Sequence, residues 1–265
     1  MRKYFAGVAA FATAAVVAVL APGALAAPTQ CGGPPSFTSP AAGSSVNGGL
    51  EVPSGGFCFL NNVTVNGGVT VDSGGFLEVW NGSAIHGGLS AASGAETEIW
   101  AGTPFGPGTF DFGPQSTIDG GLSISDTFFS FVVGAQINGG ASFSGAVQDS
   151  AACGNDIRGG VTINNVQNGG AFFWLGDPED APFSITCPGN TIHGDLSVTN
   201  SNLVEVEGNS TTGSASISGS TLELNGNTIN GNLSCGAGNT FLPPAGPDPT
   251  TNTIHHQVVS ATSPC

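Results

Sequence analysis

The chain has 265 residues, 43 of them Gly and 17 Pro, and its 3 basic and 18 acidic side chains give a net charge of −15. That balance excludes nucleic acid and anionic membrane surfaces as partners, because binding phosphates requires a basic footprint. An apolar content of 39% is nevertheless enough for a core, so the glycine does not signal disorder.

The first predicted element is a leader. Arg2 and Lys3 precede an apolar stretch from Phe5 to Leu20, and Ala24-Leu25-Ala26 supplies a small-x-small cleavage site. This is the pattern of a secretory signal peptide over residues 1–26. The stretch falls short of the ~20 apolar residues of a membrane span, so no membrane insertion is expected. Removing it leaves Arg158 as the only Lys or Arg. The six cysteines all follow the leader and read as disulfides of a secreted, extracellular protein.

Residues 27–43 read as an N-terminal extension or cap, and from residue 44 to 265 a repeat takes over. Its centres are Gly48, Gly67, Gly87, Gly120, Gly139, Gly159, Gly194, Gly213, Gly231 and His256, and six of the nine steps between them are 18 to 20 residues. Two residues before the centre stand Val46, Val65, Ile85, Ile118, Ile137, Ile157, Ile192, Thr211, Ile229 and Ile254; two after it stand residues such as Leu50, Val69, Leu89 and Leu122. Such alternation buries one face of a strand in every repeat. The outward position three after the centre carries Thr70, Ser90, Ser123, Ser142, Thr162, Ser197, Ser216 and Ser234. A second strand follows in segments such as FLEVW, ETEIW, LVEVE and TLEL.

Repeats this short bury their apolar sides only by stacking on one another. The predicted fold is therefore all-β: a single-stranded parallel β-helix, a solenoid of about ten coils of ~20 residues, right-handed by the rule for parallel crossovers. An antiparallel sandwich, the rival for secreted chains of short strands, leaves the constant offset of like on like unexplained. Asn155, Asn190, Asn209, Asn227 and Asn252, each four before a centre, predict a ladder of amide hydrogen bonds along the rod. The segments GNTIHGDLSV and GNTINGNLSC, followed by a Pro-rich tail, resemble a family of uncharacterised secreted bacterial β-helix proteins. The I-x-G-x-L/I units also resemble the coils of polymer-forming bactofilins. The likeness implies the fold and little about activity.

The long steps predict loop insertions near 101–114, 168–188 and 241–251, all rich in Pro and Gly. Register suggests how six Cys pair: Cys153 and Cys187 lie nearly at the same place on adjacent coils, Cys31 with Cys58 would fasten the first coil, and Cys235 with Cys265 the last. The end coils leave strand edges that invite self-association.

Candidate sites are few. Trp80, Trp100, Phe129 and Trp174 belong to an aromatic stripe that is either covered by the first two insertions or exposed as a surface for sugar rings or another protein. Glu78 and Glu98 should stack on adjacent coils with Glu96 beside them, a crowding that Ca2+ would relieve, so these three are the candidate metal ligands. No other cofactor is implied. His86 and Asp119 fall on neighbouring coils in the column just before the centres, on a flat face where a solvated polar ladder is the plain reading. A single cation suits neither an acidic-sugar lyase nor, without a close carboxyl pair, a glycoside hydrolase. The regular hydroxyl row is of the general kind that ice-binding rods present. The expected function is a secreted structural or adhesive scaffold at the cell exterior; the alternative is a protein that binds or acts on extracellular polysaccharide, with a cell-surface protein as another partner class.

Overall fold

The computed structural model describes residues 27–33, 38–101, 113–127, 129–145, 149–167, 169–176, 188–243 and 251–260, and among them every strand pair is parallel and there is no helix. Three strands per coil build three sheets, giving a triangular parallel β-helix. The short-strand face holds ten two-residue strands, from Ser45–Val46 to Thr253–Ile254. The hydroxyl face holds eleven, from Thr29–Gln30 through Leu50–Val52 to Val258–Ser260. The aromatic face holds nine, from Phe57–Asn61 to Thr240–Phe241. Ten coils at ~4.8 Å per strand spacing make a rod roughly 45 Å long.

Like lies on like, as the repeat predicts. Ile118 pairs with Ile85 on one side and Ile137 on the other, and all three are fully buried. The inward columns of the three faces form one continuous apolar interior, in which Val65, Leu89, Ile124, Ile163, Val198 and Leu222 recur around the axis. Two corners of each coil turn through left-handed backbone. They carry glycines such as Gly55, Gly74 and Gly134, or Asn62, Asn81, Asp126, Asn165 and Asn200 with φ of 50–55°, residues that tolerate this region.

Three stretches are organised differently from the expectation. The predicted loop 168–188 contains the strand Phe173–Gly176, because Phe173 and Leu175 continue the inward stack above Ser150 and Ala152. Thr240–Phe241 is likewise a strand overlapping the start of the loop expected at 241–251. Within the extension 27–43, Thr29–Gln30 pairs with Leu50 and Glu51 and starts the hydroxyl face. Next to it, Cys31 is disulfide-bonded to Cys58 with Cα atoms 5.4 Å apart, fastening the first coil to its cap. Cys153 and Cys235 are also disulfide-bonded; Cys187 and Cys265, the partners expected for them, lie outside the described residues, as does the leader. At the other end no described strand pairs beyond Val258–Ser260, and Val258 and Val259 are each 52% exposed.

The amide ladder is present and buried. Asn155 Nδ2 donates to Asn190 Oδ1 at 2.8 Å, Asn190 to Asn209 at 2.9 Å, Asn209 to Asn227 at 3.1 Å and Asn227 to Asn252 at 3.0 Å. Each of these Asn oxygens also accepts the backbone N–H of the preceding coil, as Asn209 does from Asn190 at 3.0 Å. Each Nδ2 reaches a carbonyl as well, for example Leu175 O from Asn209 at 2.8 Å. The corner is thereby satisfied in a dry place where unmet polar groups are costly.

Candidate functional site

The site is built on the corner between the short-strand and hydroxyl faces, where most coils carry two consecutive glycines. The first is required by stacking. A Cβ on Gly67 would lie 2.4 Å from Gly48 O, on Gly87 2.5 Å from Gly68 N, and on Gly120 2.5 Å from Gly88 N. These are backbone atoms that cannot move aside, so this glycine belongs to the fold.

The second glycine has a different reason. A Cβ on Gly68 or Gly88 would meet its nearest atom, a carbonyl of the next coil, at 3.2 or 3.3 Å. That contact is tight but adjustable, and the equivalent positions of the later coils do carry side chains: Asp195, Ser214, Asn232 and Gln257. Where the position stays glycine, the missing side chains leave a shallow groove of about 380 Å³. Its floor is Gly68, Gly88, Gly120, Gly121 and Gly140, and Thr70, Ser90 and Ser123 stand along one wall.

The groove is lined by unpaired donors. The backbone N–H groups of Gly68, Gly88, Gly121 and Gly140 have no acceptor among the described residues. In the later coils the same N–H is satisfied by the side chain that replaces the glycine. Ser214 N donates to Asp195 Oδ1 at 2.7 Å, Asn232 N to Ser214 Oγ at 3.1 Å and Gln257 N to Asn232 Oδ1 at 3.1 Å. A notional Cβ on Gly68 lies 3.9 Å from Gly88 N and one on Gly140 lies 3.8 Å from Gly160 N, so the donor direction is the same in both halves.

Polar side chains stand in the outward column just before the central glycines. His86 Nδ1 lies 2.6 Å from Asp119 Oδ2, and Asn138 Nδ2 donates to Asp119 Oδ1 at 2.6 Å. The bond from His86, then that from Asn138, holds the Asp119 carboxyl below its ordinary pKa. Asn66 Nδ2 donates to Asn47 Oδ1 at 2.8 Å further down the same column. A second pair, His193 Nε2 with Asp156 Oδ1 at 2.7 Å, escapes a comparison of equivalent positions because the two residues stand at different places in their coils.

On the hydroxyl face, register aligns Thr70, Ser90, Ser123, Ser142, Thr162, Ser197, Ser216 and Ser234 in one outward row, as the repeat predicts.

The aromatic residues are placed elsewhere, on the outside of the third face. Trp100, Phe131, Val133, Ala151, Cys153 and Trp174 form a second apolar cluster separate from the interior, with Trp80, Phe129 and Phe172 half-buried against it. Trp100 stacks on Phe131 at 5.9 Å and 14°, and Phe129 meets Phe131 edge-on at 4.5 Å. Trp100 and Trp174 expose only 4% and 6% of their surface, so neither offers an open ring face in this arrangement. Trp174, expected in a loop, stands on the strand Phe173–Gly176.

Glu78 and Glu98 pair in register on this face, whereas Glu96 aligns with Phe76 and Phe129. Burial, and then the neighbouring Glu98 charge, raises the pKa of Glu78. Burial also raises that of Glu98, partly offset by the hydrogen bond from Trp100 Nε1 at 3.2 Å. Among the described residues no group of three or more His, Cys, Asp or Glu is arranged to hold a metal ion. The same outward column continues above Trp174 into Glu205 and Glu223, both buried, with Asn225 Nδ2 donating to Glu223 Oε1 at 2.7 Å. The alternation in LVEVE and TLEL marks those glutamates as outward; their burial is not legible there.

No family model, curated protein or solved structure matches the chain. No helix among the described residues is long and apolar enough to cross a membrane.

Proposed function

We propose that the protein is a secreted rod that acts as a structural or adhesive element at the cell exterior, working by surface contact. The observation that carries this reading is the straight outer row of hydroxyls from Thr70 to Ser234, held in register for eight coils beside the glycine corner. A surface fixed this way by parallel ladders presents repeated weak contacts at constant spacing, and repetition converts weak contacts into durable attachment. The Cys31–Cys58 disulfide suits an oxidising compartment. The strong negative charge favours neutral partners such as extracellular polysaccharide and disfavours nucleic acid.

Beads coated with the purified chain test the reading. They are expected to retain cell-wall polysaccharide or whole cells while the polymer keeps its chain length. Release of reducing ends or of unsaturated sugars would replace the adhesive role with an enzymatic one.

A further inference from the structure

The groove floored by Gly68, Gly88, Gly121 and Gly140 carries a site that the sequence alone does not reveal. Three facts converge on it. The N–H groups of these glycines lack acceptors among the described residues. The equivalent N–H groups of Ser214, Asn232 and Gln257 are all met by a side-chain oxygen projecting from the coil below. That oxygen's place is empty space in the groove. The later coils thus display, with their own atoms, what the earlier coils accept from outside: a line of acceptor oxygens, one per coil, from the Asp195 carboxylate, the Ser214 hydroxyl and the Asn232 amide.

Spacing and charge select the ligand class. The donors recur at the inter-strand distance, ~4.8 Å. A peptide strand laid along the axis presents like groups every two residues, about 6.6 Å apart, and loses register within a few coils. An extended glycan carries several ring, bridging and hydroxyl oxygens per sugar along both edges, so an acceptor falls within reach of successive coils without exact repetition. An acidic polymer would meet a surface whose net charge is −15, with Asp119 next in the chain to Gly120 of the floor. We propose that this groove seats an extended, uncharged polysaccharide lying along the rod, its oxygens accepting from the glycine N–H groups and its edge meeting Ser90 and Ser123. The proposal rests on the adhesive reading and names its ligand class. Each coil contributes little, so attachment grows with the number of coils engaged.

The test uses a variant that closes the groove with the molecule's own chemistry. In G68S/G88S each new hydroxyl takes the position that Ser214 Oγ occupies in its coil and can accept from Gly88 N or Gly121 N. Neither glycine needs a positive φ, so the variant is expected to keep the wild-type circular dichroism spectrum and melting temperature. Retention is measured on insoluble cellulose, chitin and xylan, with polygalacturonate as the acidic comparison. Glycine-selective 15N spectra are recorded during titration with cellohexaose and chitohexaose.

The expected result is retention of at least one neutral polymer, shifts of the groove glycine amides, and a loss of about tenfold or more in G68S/G88S. Undiminished retention by folded G68S/G88S overturns the groove assignment while leaving the adhesive role standing on another face. Retention of polygalacturonate alone overturns the ligand class. Silence toward all neutral polymers overturns the proposal, and if cells still adhere, the adhesive reading survives it.

Discussion

The early and late coils share one fold but treat their corners in opposite ways. At the position four before the centre, the early coils carry Val63, Ser83, Ser116 and Ala135, and the late coils carry Asn155, Asn190, Asn209, Asn227 and Asn252. Ser83 does part of the same work: its hydroxyl accepts Val63 N at 3.0 Å and reaches Leu60 O at 2.8 Å. At the position just after the centre the early coils carry glycine, and the late ones Asp195, Ser214, Asn232 and Gln257. The late half satisfies its backbone with its own side chains, whereas the early half leaves a line of donors to the surroundings. Stability and availability for contact are thus segregated along one rod.

Two adjacent glycines are expected to differ most in their response to substitution. Gly87→Ala drives a Cβ into the backbone of the coil below and is expected to cost more than about 3 kcal/mol. Gly88→Ser, one residue on, is expected to stay within about 1 kcal/mol of wild type. Thermal melts of the two variants decide it, and equal losses would show that both glycines serve stacking.

The amide ladder sets the next effect. Asn209→Ala removes the acceptor of Asn190 N and Nδ2 and takes away a donor to Leu175 O. The expected cost is about 3 kcal/mol, at ~1–3 kcal/mol for each buried group left unpaired. Ser83→Ala, with fewer bonds lost, is expected to cost about 1 kcal/mol. Because coils contact only their neighbours, hydrogen exchange should localise the first loss to the late coils and the second to the early ones.

The smallest effect concerns charge. Burial raises the pKa of Glu98 and Glu78, so in the window between the ordinary carboxylate range and the raised values the native state holds more protons than the unfolded chain. Stability from these groups therefore falls as pH rises through that window. Glu98→Gln keeps an acceptor for Trp100 Nε1 and is expected to flatten this slope and raise stability slightly at neutral pH. Asp119 behaves oppositely. Its lowered pKa gives a small contribution that is present above the unfolded value and lost as pH falls through the folded one, and solvent screening at this exposed site keeps it small.

The coil architecture was legible because period-two alternation and a constant step report directly on stacking, as Ile85, Ile118 and Ile137 illustrate. The amide ladder was legible for the same reason. The groove was not, since two adjacent glycines look alike in sequence while one avoids a backbone collision and the other leaves an N–H unmet. The pair of Asp156 and His193 was hidden because it is diagonal: Asp156 lies in register with Thr191, two residues before His193 on the same outward side. Alternation places Trp100 and Trp174 on the outside of a strand, but it reports the side of the sheet and not what lies over it. Phe173–Gly176 was read as loop because the Gly and Pro flanking it outweighed four residues of apolar pattern.

The 19-residue step from Gly120 to Gly139 brings Ile118 onto Ile137 and Leu122 onto Ala141 without a shift. A tandem duplication of that length would slot in as one more turn, with its interior already matched above and below. The length of the rod can therefore be tuned by whole-unit gain or loss, one rung at a time, without redesigning anything else.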